Sequence, residues 1–186
     1  MTTNKQTYNP MIQTRSRTIT ETHYYMVDEI LSALDYIELL DALNTASQDD
    51  SIIIHINSNG GCANTAIQIM SAIKGCEGHV TTIIEGEAAS AASMIFLAGH
   101  SMSVAPHSCM MIHTWSSGSY GKSQELVSDI MFNKDRFDKL FDDVYYKFLT
   151  KDELGSIAKG MDLYLDTDQI ISRLKEKHSK DEQTSD

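Results

Sequence analysis

Apolar positions along the chain alternate between two spacings. Short, nearly continuous β-branched blocks recur at 51–57 (SIIIHIN) and 80–84, while between them apolar residues repeat at helical intervals. The first kind predicts strands, and the block at 51–57 predicts a strand buried on both faces, as in a parallel sheet. The second kind predicts an amphipathic helix over 30–45, through Ile30, Leu31, Leu34, Ile37, Leu40 and Leu43, and another over 63–76, through Ala66, Ile69, Met70 and Ile73. The strand beginning at Val80 is bounded by Gly86. Small residues from Ala88 onward, then Met94 to Leu97 and a stop at Gly99, predict a short buried helix. Further on the pattern predicts strands at 23–27, 101–105, 109–114 and 163–165, a long helix at 124–149 and a final helix at 168–177. Strand and helix in alternation give an α/β fold with right-handed crossovers, and no repeat of solenoid period interrupts it.

Length and composition narrow the class. The chain has 186 residues, enough for one domain with a sizeable core, and 41% of them are apolar. Residues 1–22 lack periodicity and read as a flexible arm, 23–178 as the folded domain, and 179–186 as a polar tail. A formal charge of −11 opposes non-specific nucleic-acid binding and attachment to anionic membrane surfaces. No apolar run reaches membrane-spanning length, and the first twenty residues have no apolar segment of the secretory kind. Cys62, Cys76 and Cys109 are odd in number and form no CxxC pair. Neither a disulfide framework nor a structural zinc site is expected, and a reducing cytoplasm is the natural setting.

Three features carry possible chemistry. Gly60-Gly61 directly follows a strand, where a glycine pair lets the backbone approach a ligand closely. Taken alone it is also an ordinary strand-to-helix turn, and it is neither GxGxxG nor a P-loop, so nucleotide binding is set aside. Ser90 stands at the mouth of a helix just past the next strand, beside backbone N–H groups that lack intrahelical partners. Taken alone it is also an N-cap. Ser93 lies about one turn deeper, where the apolar block begins. Consecutive parallel strands end at one edge, which brings Gly61 and Ser90 toward a common crevice. His113 closes the run Met110-Met111-Ile112 and is either a half-buried strand histidine or the base that a nucleophilic serine needs. Asp162 is one of many carboxylates, and chemistry alone does not select it.

In combination these residues resemble the Clp protease proteolytic subunit family, ClpP-like serine peptidases within the crotonase-like superfamily. The resemblance runs from about Tyr24 to Ile171. It rests on Ile56-Asn57-Ser58-Asn59-Gly60-Gly61, on Gly86-Glu87-Ala88-Ala89-Ser90, on Met111-Ile112-His113 and on Asp162-Leu163-Tyr164-Leu165. It implies a ClpP/crotonase-like fold of repeated strand-strand-helix units with a projecting handle helix at about 124–149. It implies Ser90 as nucleophile, His113 as base and Asp162 as acid, with an oxyanion hole made by the N–H groups of Gly61 and Ala91. The residues at 118–121 look like the strand and glycine loop beside the substrate. It further implies a heptameric ring homo-oligomer, two rings stacked, that takes polypeptide substrates from an AAA+ unfoldase of Clp type. No cofactor or metal is expected in this chain, since ATP would be used by the unfoldase.

Departures from the family pattern qualify this picture. Asn59 replaces a proline, Ala91-Ala92 replaces Met-Gly, and Trp115 stands where His-Gln-Pro is usual. Met161 and Leu163 flank Asp162 where the family carries arginines that couple the rings. Ile53 and His55 align with two tyrosines that help line the family's unfoldase pockets. Docking is therefore expected to be altered, and His55 can acquire charge near pH ~6.5. Two alternatives remain: a catalytically weak or inactive ring subunit that modulates a mixed assembly, and a crotonase-type acyl-CoA enzyme. The second needs no Ser-His pair and has no basic cluster here for a CoA phosphate.

Overall fold

The computed structural model describes residues 18–116, 118 and 120–183, with the side chains of 180–183 left aside. Most of the predicted arm, Ser117, Ser119 within the expected glycine loop at 118–121, and the end of the predicted tail lie outside the described residues. Six strands form one sheet: β1 (Glu21–Ile30), β2 (Ser51–Gly61), β3 (His79–Ala89), β4 (Ser101–Val104), β5 (Cys109–Ile112) and β6 (Leu163–Asp166). The spatial order is β1-β2-β3-β5-β6, with β4 also beside β3. All pairs are parallel except β5 with β6. The helices are α1 (Ile37–Thr45), α2 (Ala63–Gly75), α3 (Ala91–Leu97), α4 (Ser123–Tyr145), α5 (Lys151–Ile157) and α6 (Thr167–Gln183). Mixed α/β architecture is thus observed, and α3 packs against both β2 and β3 beneath α2.

Several elements differ from the sequence expectation for physical reasons. Ile30 and Leu31 are not helical: β1 runs on to pair Ile30 with Gly61, and Ser32 then caps a short 3-10 turn (Ala33–Tyr36) that precedes α1. Leu31 and Leu34 are consequently exposed. β2 is not buried on both faces. Ile52, Ile54 and Ile56 are buried, whereas Ile53 and His55 point to a half-covered face beside exposed Tyr25 and Val27. Alternation of this kind marks a sheet with helices on one side only. Helix α6 continues past His178 to Gln183.

Gly86 does not end β3; it lets the strand change neighbours. Thr81 to Ile84 pair with β4, and Glu87 to Ala89 pair with β5. Gly86 has φ 141, and a Cβ there would lie 2.5 Å from Asn57 Oδ1. The backbone groups freed by the switch find side-chain partners. Gly86 N–H donates to Ser108 Oγ (3.1 Å), Ser108 Oγ–H donates to the Ile84 carbonyl (3.1 Å), and Glu87 N–H donates to Asn57 Oδ1 (3.2 Å). Ala88 and Ala89, expected in the helix, therefore extend β3 and carry the chain to Ser90.

Helix α4 stops at Tyr145, four residues short of the expected end, and the short α5 that follows was not expected. Its start was nonetheless written in the sequence: Thr150 and Glu153 form a reciprocal capping box. Glu153 also receives two hydrogen bonds from Arg173 of α6, at 2.9 and 2.6 Å. The guanidinium holds the Glu153 carboxyl down to about 2 from its ordinary value near 4.5. A lowered pKa means that the pair stabilises the fold fully above the ordinary value and loses that contribution as pH falls toward about 2. Urea titrations of Glu153→Gln should show a loss of about 1–2 kcal/mol at pH 7, for a half-buried charged pair. The gap to wild type should narrow from pH ~4, where the unfolded carboxyl takes up its proton, and close as pH falls toward about 2, where the folded one does. A gap that stays constant down to pH 2 would contradict this assignment.

Candidate active site

The strand expected to end before Gly60-Gly61 instead runs through them, and this last stretch of β2 is built to bring backbone close to the next corner. Ser58 is buried. Its hydroxyl donates to the carbonyl of Asp28, at the point where β1 shifts register, and accepts from Gly60 N–H at 3.1 Å. Gly60 has φ 91. A Cβ there would meet the Ala89 carbonyl oxygen at 2.5 Å, Ser90 Cβ at 2.8 Å and Ala91 N at 3.0 Å. Glycine is therefore required twice, for the dihedral and for the contact. Gly61 has φ 143, and a Cβ there would lie 2.2 Å from the Ile30 carbonyl oxygen. The sequence expectation that Gly61 and Ser90 share one crevice corresponds to this packing of the end of β2 against the Ser90 corner.

Ser90 itself joins β3 to α3 at φ 53, ψ −123, a sharp corner that a side chain rarely adopts. Its N–H donates to the Met111 carbonyl at 2.8 Å, which ties the corner to β5. Two residues beyond that anchor, His113 leaves the strand with its Nε2 2.8 Å from Ser90 Oγ. Ala91 is the first residue of α3, so its N–H has no intrahelical acceptor. Ser93, by contrast, is fully buried and bonded inward to the Ser90 carbonyl and the Tyr145 hydroxyl, both at 2.6 Å.

Asp162 occupies a telling place without completing a bond. Ile112 pairs with Leu163 across the antiparallel β5–β6 ladder, so the next step of that register sets Asp162 opposite His113. The Asp162 residue is exposed, and among the described residues no carboxylate hydrogen-bonds His113.

A cavity of about 490 Å³ opens beside Ser90 and His113. Gly61, Ala91 and Met94 line it, and Leu140, Phe141, Leu154 and Ile157 from α4 and α5 supply an apolar wall. Trp115 stacks on Phe137 at 5.5 Å, and both rings line the cavity. Arg136 also lines the cavity and donates to Asn64 Oδ1 at 2.8 Å. Sequence reading missed this wall because it is assembled from residues 50 or more positions away from Ser90. By itself the helical spacing of Leu140, Phe141 and Val144 marks only an apolar helix face. The described residues contain no group of three or more His, Cys, Asp or Glu side chains arranged to hold a metal, and no helix among them is long and apolar enough to cross a membrane.

On the open face of the sheet, His55 is not a solitary side chain. Glu21, His23, His55 and Glu85 form a continuous chain, with contacts of 3.1, 2.9 and 2.8 Å, and Tyr25 stacks on the His55 ring at 4.5 Å.

Comparison with known proteins gives a consistent picture. The family model described as Clp protease matches residues 4–173. The "ATP-dependent Clp protease proteolytic subunit" of Chlorella vulgaris is 36% identical over 104 residues, which cover 55% of this chain and 51% of that protein. The protein of the same name from Mesostigma viride is 32% identical over 136 residues, covering 72% and 58% respectively. That from Ostreococcus tauri is 31% identical over 140 residues, covering 73% and 66%. The chain thus spans about half the length of the first of the curated relatives that it matches.

Substituting Gly60→Ala should destabilise the protein by about 2–4 kcal/mol, the combined cost of a left-handed alanine and a backbone clash. Gly75→Ala, at the end of α2 with open space around it, should be neutral or slightly stabilising. Equilibrium unfolding of both variants checks the contrast, and equal effects would show that the Gly60 contact is not tight.

Proposed function

The chain belongs to the Clp protease family, and from that premise we propose that it is a serine endopeptidase, the proteolytic subunit of an ATP-dependent Clp-type protease. The observation that carries the reading is the 2.8 Å contact between Ser90 Oγ and His113 Nε2 at a left-handed corner that opens into an apolar-walled cavity. In the proposed mechanism the Ser90 hydroxyl attacks the scissile carbonyl while His113 Nε2 takes its proton. The tetrahedral oxyanion is held by the N–H groups of Gly61 and Ala91. His113 then returns the proton to the leaving amine, and water repeats the sequence to release the acyl group. Asp162, opposite His113 in the extended β5–β6 register, would orient the imidazole through Nδ1. The chemistry needs no cofactor in this chain.

The partners follow the same premise. Val127, Ile130, Met131 and Phe132 are exposed on the projecting part of α4, and large exposed apolar patches mark interfaces. That supports assembly into rings, with paired rings weakened by the absence of arginines beside Asp162. A Clp-type AAA+ unfoldase would feed polypeptide substrates into the chamber, with docking altered by Ile53 and by His55 in its contact with His23. Three free thiols suit a reducing, cytoplasmic setting.

One observation favours a second reading, a catalytically weak or inactive ring subunit: Asp162 makes no bond to His113.

The decisive assay measures hydrolysis of short peptides, and of a folded tagged protein with a Clp-type unfoldase and ATP, alongside native mass spectrometry. Wild type should form a ring multimer and cleave peptides, with Ser90→Ala and His113→Ala each losing about 10⁴-fold or more. Asp162→Asn should lose about 10²–10⁴-fold. Ile53→Tyr/His55→Tyr should improve unfoldase-dependent degradation without changing peptide hydrolysis. A ring that fails to cleave peptides would favour the second reading, and a monomer would refute the assembly. Tyrosines that add nothing would remove the docking claim.

A further inference from the structure

Tyr145 is the last residue of α4, 2% exposed, and its hydroxyl lies 2.6 Å from Ser93 Oγ. Ser93 is 0% exposed, and its hydroxyl is also 2.6 Å from the Ser90 carbonyl oxygen. Ser93 has one hydroxyl proton, and a carbonyl can only accept. The Ser93 proton is therefore committed to Ser90, and the Tyr145 hydroxyl must be the donor to Ser93 Oγ. Burial raises the Tyr145 pKa well above its ordinary value, so the phenol keeps the proton that this chain requires. The Ser93 backbone N–H adds a second bond to the same carbonyl, at 3.0 Å.

The carbonyl so gripped belongs to the peptide that joins Ser90 to Ala91. That peptide is trans, so its C=O and N–H point in opposite directions within one rigid plane. Fixing where the Ser90 oxygen points fixes where the Ala91 N–H points: away from Ser93. We propose that Tyr145 and Ser93 are positioning residues, a hydroxyl relay that aims the Ala91 N–H and so presets one donor of the oxyanion hole. The inference rests on the reading of Ser90 and Ala91 given above, and neither relay residue touches substrate through its hydroxyl. It assigns to the base of α4 a role in the corner's geometry that is separate from walling the cavity. It also gives Ser93, adjacent in helical space to the nucleophile, a function other than packing.

The test compares Tyr145→Phe, Ser93→Ala and the double variant in the assembled protein. Turnover of a peptide substrate is expressed per serine titrated with a fluorophosphonate, so that misfolded protein does not count. Ser93→Ala should lower kcat about 10–30-fold and Tyr145→Phe about 3–10-fold, fractions of the 10²–10³ expected for losing a whole oxyanion donor, with KM within about twofold of wild type. The double variant should be no worse than Ser93→Ala, because both substitutions break one chain. Affinity for a peptide boronate, which mimics the tetrahedral adduct, should fall in step with kcat while KM does not, a pattern that simple loss of packing would not produce. A crystal structure of Ser93→Ala reads the peptide without requiring turnover: the Ser90–Ala91 plane should rotate or adopt two orientations. An unchanged plane overturns the inference, as do unchanged kcat values per titrated site or losses that multiply. Absence of turnover in wild type would instead overturn the proposed function, and the crystallographic arm would still decide the relay.

Discussion

The backbone of Ser90 is the constraint on which the rest of the molecule depends. A serine at φ 53 costs on the order of 1–3 kcal/mol relative to relaxed backbone, so the conformation persists only where its surroundings impose it. Here they do so from three directions. Met111 on β5 takes the Ser90 N–H, Ser93 in α3 grips its carbonyl from behind, and Gly60 lies against its Cβ. Each restraint has its own support. Met111 is placed by the neighbour switch in β3, which Asn57 and Ser108 make possible by satisfying the freed backbone groups. Gly60 is placed by buried Ser58, and Ser93 by Tyr145.

A second consequence is economy of chain: the elements that hold the corner also shape the cavity. Helix α4 ends in Tyr145 beneath Ser93, and Leu140 and Phe141 one turn earlier face the same cavity. Helix α5 completes that wall and is fastened to α6 by the Glu153–Arg173 pair. What a single chain does not do is cover the projecting half of α4 or the Tyr25–His55 face of the sheet. Both surfaces combine exposed aromatic or aliphatic groups with a fixed geometry, the pattern expected where other subunits or partners sit.

How much of this was legible in the sequence varied with distance along the chain. Strands β2 and β3 and the helix opening beyond Ser90 followed from local apolar spacing, and the candidates Gly61, Ser90 and His113 followed from their positions at strand ends. Asp162 was selected only by resemblance, because nothing local separates it from the other carboxylates, and its place opposite His113 comes from an antiparallel pairing some fifty residues apart in sequence. Ile30 and Leu31 were misassigned because a strand edge and a helix start share the same apolar spacing when Ser32 is overlooked as a cap. The extension of β3 through Ala88 and Ala89 was hidden for another reason. Alanine favours helix by propensity, and the tertiary pairing of Ala88 with Ser58 and Met110 and of Ala89 with Met111 overrides it. Tyr145 carried no signal at all: its partner Ser93 is 52 positions away, and either residue alone is unremarkable.

The central claim is that the Ser90 corner presents a nucleophile and two preset N–H donors to one reacting group. A crystal structure of the protein after reaction with a fluorophosphonate tests it most directly. The phosphorus should be bonded to Ser90 Oγ, with its phosphoryl oxygen within about 3 Å of both the Gly61 and the Ala91 nitrogen. An adduct on any other serine, or a phosphoryl oxygen turned to solvent with neither N–H in reach, would contradict the account.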